Sequence, residues 1–295
     1  MSTNKRPGAL GIIGGSGVYD IEGLSNTRWE KVASPFGEPS DAFLFGELHG
    51  QQLVFLPRHG RGHRLPPTEI NYRANIDALK RAGVTDVISV SAVGSLREHL
   101  RPGTFVIVDQ FIDRTFARAK SFFGTGLVAH VSMARPVCRR LGDHLEAAAR
   151  EADIEVARGG TYLVMEGPQF STRAESEIYR SWGVDVIGMT NLQEARLARE
   201  AEICYSTLAM VTDYDCWHET EEDVSVDAVL EALRQNAAMG QEVVRRAVAA
   251  SGGRAACSCG EALRSALITD RSRVPAATLA KLAPIVGKYF AKPAV

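Results

Sequence analysis

The chain of 295 residues lacks any apolar run long enough for a signal peptide or a bilayer span, and its first ten residues, MSTNKRPGAL, lead straight into a strand-like segment. A cytoplasmic protein without membrane contact is expected. It also lacks net charge. Lysine plus arginine (34) nearly cancels aspartate plus glutamate (35), so no global field attracts nucleic acid, and any anion site has to be built locally. Cysteine is scarce and odd in number: Cys138, Cys204, Cys216, Cys257 and Cys259. That excludes the disulfide framework of small secreted domains. Cys257-Ser258-Cys259 could bind metal or cycle between redox states, but no histidine or further cysteine adjoins it in sequence. It reads as reduced thiols in a loop, and Cys138 and Cys204 read as buried thiols.

Short β-rich apolar runs alternate with helical patterns. Strands are expected at Ala9 to Ile13, Gln52 to Leu56, Val84 to Val90, Thr104 to Asp109, Thr161 to Met165, Val184 to Met189 and Ile203 to Val211. Helices are expected at Glu69 to Ala82, Pro136 to Glu151, Arg173 to Ser181, Leu192 to Ala201 and Ser225 to Ala250. This alternation implies a single α/β domain with a central mixed sheet flanked by helices. No linker divides the core. Ser251-Gly252-Gly253-Arg254 ends the long helix, so residues 1–252 form the main body and 253–295 a helical tail of the same domain.

Ligands of open α/β sheets bind beyond the carboxyl ends of the strands. The first strand is followed by Gly14-Gly15-Ser16-Gly17, whose backbone N–H groups and Ser16 hydroxyl suit an oxyanion, although a plain glycine turn is the alternative. Neither the dinucleotide fingerprint nor the nucleotide P-loop is complete here. After the second strand come Arg58 and His59, able to meet phosphate or a sugar hydroxyl, or else to form a solvated basic loop. The third strand end supplies Ser91 and Ala92, and a later one Met189 and Thr190 at a helix start. The last strand runs into MVTDYDCWHE, where alternation lets Asp213 and Asp215 face one point. Alone, that pair is a solvated turn or a site for a ligand with matched donors.

Phosphate-type groups at four strand ends facing two carboxylates suit nucleoside phosphorolysis. Phosphate attacks C1′ of the ribose as the bond to the base breaks, the transition state is oxocarbenium-like, and an acid with a raised pKa protonates the leaving base. The sequence offers no convincing metal constellation and no nucleophile elbow. Trp217 beside the acids reads as a packing residue, and Glu166 as a supporting or turn residue.

These residues lie in segments that match a known family. GIIGGSGVYD, LPRHGRGH, PPTEINYRANI, SAVGSLRE, PGTFVIVDQFIDRT, MEGPQFSTRAES, VIGMTNLQEARLARE and ICYSTLAMVTDYDCWHE, with EEDVSVD, cover about residues 10–227. The chain closely resembles the 5′-methylthioadenosine phosphorylases of the trimeric purine nucleoside phosphorylase superfamily. The resemblance implies a partly barrel-like sheet, a homotrimer, inorganic phosphate as co-substrate and no cofactor or metal. It implies phosphate contacts from Ser16, Arg58, His59, Ser91, Ala92 and Thr190, with Met189 against the ribose and Phe170 near the base. Ser16 departs mildly from the threonine common in the family. Asp213 and Asp215 would read the purine at N7 and the 6-amino group. His130 would reach a neighbouring subunit's pocket, and Ser171 and Val226 would bear on substrate choice. Relatives that prefer 6-oxopurines carry asparagine where an aspartate stands here. An ionised aspartate repels a 6-oxo group and accepts from a 6-amino group, which favours adenine-type nucleosides.

Overall fold

The structure, a computed structural model, describes residues 8–15, 21–219, 224–250 and 257–291. Ser16 and the Ser251-Gly252-Gly253-Arg254 segment lie outside the described residues. The chain forms strands β1 (Ala9–Gly14), β2 (Ser25–Glu30), β3 (Phe43–Leu48) and β4 (Gln51–Pro57), then helix α1 (Tyr72–Arg81). Next come β5 (Val84–Ser95), β6 (Phe105–Ile107), β7 (Gln110–Arg114), α2 (Arg139–Glu151), β8 (Val156–Arg158), β9 (Thr161–Met165) and α3 (Arg173–Ser181). The remainder is β10 (Val186–Gly188), α4 (Asn191–Glu200), β11 (Cys204–Asp213), α5 (Val226–Ala249), α6 (Ala276–Lys281) and α7 (Ala283–Phe290).

The eleven strands of the described residues belong to one mixed sheet that forks at β5. One edge of β5 carries β11 in parallel from Asp86 to Gly94. The other edge carries β1 in parallel up to Ser89 and β10 antiparallel from Gly94. Between those two partners, residues 90–93 have no strand on that side among the described residues. Beyond the fork the sheet closes on itself. β11 pairs β6, β6 pairs β8, β7 pairs β9, β9 pairs β10, and β10 returns to β5. β6 with β7, and β8 with β9, act as two kinked strands. Gly159 N–H donates to Ile107 O at 3.0 Å and Asp109 N–H to Gly160 O at 3.1 Å, carrying the ladder through both kinks. A core cluster including Val93, Val106, Tyr162, Val186, Ala209 and Val211 takes side chains from around this ring. The expected mixed, partly barrel-like sheet is therefore present.

Four strands were not anticipated. β2, Ser25-Asn26-Thr27-Arg28-Trp29-Glu30, is an edge strand exposed at every position and carries no apolar alternation. β7 and β8 are short, only partly buried continuations around the ring, and β3 is interrupted by Gly46 and Glu47. Helix α1 starts at Tyr72 rather than Glu69, because Asn71 Oδ1 accepts the Ala74 N–H at 3.1 Å and caps it there. Helix α2 starts at Arg139 rather than Pro136. The Cys138 N–H is given to Tyr205 O at 2.8 Å, which holds the preceding residues off the helical path.

The tail contributes Leu263, Leu282, Ile285 and Val286 to the largest core cluster. Glu202, before β11, accepts the Leu263 N–H at 2.9 Å and pairs with Lys288 at 2.5 Å. The Cys257/Cys259 pair is not isolated, since chain reversal brings Cys138 and Cys204 beside it. No helix is long and apolar enough to cross a membrane among the described residues.

The kink at Gly160, where φ is +125°, is a conformation that L side chains rarely adopt. Gly160→Ala should lower unfolding free energy by about 1–3 kcal/mol in urea titrations at fixed protein concentration. Gly287→Ala, inside α7 with open space around the added carbon, should instead raise it by roughly 0.5–1 kcal/mol.

Candidate active site

The fork in the sheet opens into a cleft of about 570 Å³. That volume suits a small molecule, for which sites of roughly 300–1,000 Å³ are usual. Its floor is residues 90–93 of β5, which pair with β11 on one edge and face the fork on the other, together with Gly94. The ends of β1, β4, β10 and β11 surround it, and α5 lends one wall. Val226, Val229, Leu230, Leu233, Ala237 and Gly240 recur at helical spacing along that wall, so this stripe faces the cleft, with Leu233 also packed on the core beneath it.

Arg58, at the end of β4, is 3 % exposed and reaches into the fork. A buried cation needs compensation, and Glu194 of α4 provides it, with Nε to Oε1 at 2.5 Å and Nη2 to Oε2 at 3.3 Å. Arg58 also donates through Nη1 to Val90 O at 2.9 Å and through Nη2 to Ser89 Oγ at 2.6 Å. Ser89 Oγ and Tyr205 Oη donate to Glu194 Oε2 at 2.7 and 2.9 Å, and Asn191 Nδ2 donates to Ser89 Oγ at 3.0 Å. Among the described residues four donor contacts are thereby used, and one Nη1 hydrogen remains for a ligand. Burial works against the Arg58 charge, but Glu194 outweighs it and holds the guanidinium firmly protonated.

His59 is the neutral partner. Burial, then the Arg58 charge, push its imidazolium pKa down to about 4. Its Nδ1 lies 2.8 Å from Leu65 O. A carbonyl only accepts, so Nδ1 carries the hydrogen and Nε2 is left as an acceptor. The ring stacks on His63 at 4.2 Å between centroids. His59 is therefore an acceptor for a phosphate or ribose hydroxyl hydrogen.

Ser91 Oγ lies 3.4 Å from Tyr162 Oη on the cleft floor, next to Ala92. Thr190 occupies the N-cap of α4, yet its side chain makes no capping bond, which leaves the hydroxyl for the cleft. Three residue steps along β5, roughly 10 Å at 3.3 Å per residue, separate Ser91 from Gly94, where the acids sit. A Cβ at Gly94 would lie 2.8 Å from Asp213 Oδ1 and 3.4 Å from Asp215 Cβ, so a bare backbone is what admits the pair.

Asp213 Oδ2 accepts from Thr212 Oγ1 at 2.7 Å and Oδ1 from the Asp215 N–H at 2.8 Å. Burial pushes its carboxyl above the ordinary range, and these bonds pull it only part of the way back. Asp215, at φ +53°, is likewise raised by burial, with the Ser176 and Ser171 hydroxyls opposing and the Asp213 charge adding. Among the described residues, neither Asp215 Oδ2 nor Ser176 Oγ completes a hydrogen bond of ordinary geometry. An unpartnered, buried carboxylate oxygen lining a cleft is costly unless a ligand donates to it or a proton occupies it.

Met189, Phe170 and Val226 also line the cleft. Ser171 does not line it and instead stands behind Asp215. His130 is exposed and does not line its own chain's cleft. Its strand-like segment pairs with the tail, through Ala129 opposite Leu267 and the His130 N–H to Ala266 O at 2.9 Å. Trp217 is buried and donates to Ser95 O at 2.7 Å.

Sequence reasoning missed the residues that hold the site. Arg118, 1 % exposed at its side chain, donates to Glu166 O at 2.6 Å, to Gln193 Oε1 at 3.0 Å and to Met189 O. Glu166 accepts the Phe116 N–H at 2.6 Å and bonds Thr68, tying loops together away from the cleft. Glu194 had one visible signal, an acid in a helical turn whose other members are apolar or amide.

The sequence profile described as the phosphorylase superfamily matches residues 9–249. The S-methyl-5'-thioadenosine phosphorylase of Geobacter sulfurreducens is 59% identical over 281 residues, covering 95% of this chain and 98% of the relative. That of Rhodospirillum rubrum is 65% identical over 245 residues, 83% of each chain. Among solved structures, a methylthioadenosine phosphorylase from an antarctic soil metagenomic library superposes with a TM-score of 0.91 at 50% identity, covering 95% of this chain and 99% of that one. A mutant of the adenosine/methylthioadenosine phosphorylase of Schistosoma mansoni, in complex with methylthioadenosine, superposes at 0.82 with 38% identity, over 88% and 96% of the two chains. With the profile spanning most of the chain, and relatives well above 30% identical across nearly all of it, this protein belongs to the phosphorylase superfamily.

Proposed function

We propose that the cleft binds inorganic phosphate and an adenine-type nucleoside, and that the chain converts 5′-methylthioadenosine and phosphate to adenine and 5-methylthioribose 1-phosphate. The observation that carries this is the pair of desolvated carboxyls, Asp213 and Asp215, set along one strand from Arg58, Ser91 and Thr190 in the same cleft. The names of the relatives, and the methylthioadenosine complex of one, support the substrate class.

In this reading phosphate takes the free Arg58 hydrogen and the Ser91 and Thr190 hydroxyls. Glu194 already balances Arg58, so the phosphate keeps its negative charge for attack. Neutral His59 accepts a hydrogen from phosphate or ribose through Nε2. A phosphate oxygen bonds to C1′ as the glycosidic bond breaks, and the developing positive ribose is stabilised by the phosphate oxygens. A raised aspartate provides the proton that adenine N7 needs to leave, while the other accepts from the 6-amino group. The apolar wall of α5, with Val226 and Leu230, favours a methylthio group over a hydroxyl. No metal or organic cofactor enters these steps, and neither nucleic acid nor membrane is a partner.

We further read the protein as a cytoplasmic homotrimer. His130, exposed and outside its own cleft, supports a role at a neighbouring subunit's site.

Adenine release from methylthioadenosine should require phosphate, and inosine and methylthioinosine should be turned over far more slowly. Phosphate-independent release in a chromatographic assay would mark a nucleosidase, and preference for inosine would reverse the specificity. Asp213→Asn should lower kcat by about 10²- to 10⁴-fold. The same variant should be more stable than the parent at neutral pH. A carboxyl whose folded pKa is raised costs stability when ionised, so this gain should fade as pH falls through that pKa. Arg58→Lys keeps the charge but loses the fork, and should raise the phosphate KM by about tenfold or more, the effect of one charge-assisted hydrogen bond.

A further inference from the structure

The four cysteines Cys138, Cys204, Cys257 and Cys259 come from three distant parts of the chain, yet their Sγ atoms all lie within 4.8 Å of one another. Cys138 precedes α2, Cys204 opens β11, and Cys257-Ser258-Cys259 begins the described part of the tail. The placement is fixed by backbone bonding, because the Cys138 N–H donates to Tyr205 O at 2.8 Å beside Cys204. Three of the four are buried, Cys257 is half-buried, and none is joined to another by a disulfide.

We propose that this cluster is a structural zinc site of four thiolates. A tetrahedral zinc with bonds of about 2.3 Å to each sulfur requires sulfur–sulfur separations of about 3.8 Å. The observed cluster has that scale, with Cys204 Sγ and Cys257 Sγ at 3.3 Å. A disulfide needs about 2.05 Å within chosen pairs and gives no reason for four sulfurs to gather at one point. Four protein thiolates with no open position describe a structural ion rather than a catalytic one. Arg199 Nη1 donates to Cys259 Sγ at 3.7 Å, placing a cation against the excess negative charge of such a centre. On binding, each ligating thiol gives up its proton to solvent and no electron is transferred.

The ion would staple the start of the tail to β11 and α2, at the opposite end of β11 from Asp213. Nine residue steps, about 30 Å of strand, separate it from the acids, so it would act on stability and not on the reaction.

Untagged protein purified under reduction without chelator should contain one zinc per chain by inductively coupled plasma mass spectrometry. Cys257→Ser and Cys259→Ser should each lose most of it. Cys257→Ser should also lower the thermal midpoint by roughly 5 °C or more while keeping its nucleoside turnover at 25 °C. The wild-type protein supplies a test that needs no variant: after chelator stripping under reduction, added Co²⁺ should give the intense thiolate-to-cobalt and visible bands of a tetrahedral sulfur site. Zinc-free wild type that takes up neither zinc nor Co²⁺ once stripped and reduced would overturn the proposal. So would stoichiometric iron in place of zinc, or recovery of the four cysteines as two disulfides with no metal uptake after reduction.

Discussion

The polar end of the cleft depends on one buried ion pair. Arg58 enters the sheet where β1 and β10 part from β5, a place where strand backbone would otherwise face an open gap. Glu194 makes that entry possible, because the cost of taking a guanidinium out of water is offset by a carboxylate at 2.5 Å and by Ser89 and Tyr205 donating to that carboxylate, with Asn191 holding Ser89 in place. Removing either partner would leave a buried charge alone. The pair also fixes the start of α4, and with it Thr190.

The two ends of the cleft are built on opposite electrostatic logic. At one end a cation is kept charged and pre-oriented by a full set of partners. At the other, Asp215 Oδ2 has no hydrogen-bond partner among the described residues, and burial raises both the Asp213 and Asp215 carboxyls toward the protonated form. The bare backbone of Gly94 lets the acids approach the strand. His59 stands between these regimes as a neutral imidazole whose free lone pair is set by the carbonyl on its other nitrogen. A ligand that brings negative charge to Arg58 and a protonatable, donor-bearing ring to the acids satisfies both ends at once.

Much of this was legible in sequence, because strand ends are where α/β proteins place ligands. Arg58, Ser91, Thr190 and Asp213 each stand just past the end of an apolar run, where polar groups can be picked out by position. The supporting shell has no such marker. Glu194 meets Arg58 across 136 positions of chain, and Arg118 meets Gln193 across 75, so no local pattern reveals either. The same holds for the cysteines, whose convergence appears only when α2, β11 and the tail are placed together. Among the strands, β2 was invisible because an edge strand exposed along its whole length has no need of alternation.

The central claim is that phosphate at the Arg58 end attacks a nucleoside whose adenine is held by the acids. Phosphorus-31 magnetic resonance of the protein mixed with methylthioadenosine and inorganic phosphate tests it most directly. The account predicts a sugar 1-phosphate ester signal that grows one-for-one with released adenine as inorganic phosphate falls. Adenine released with no new phosphate ester, and free methylthioribose in its place, would contradict it.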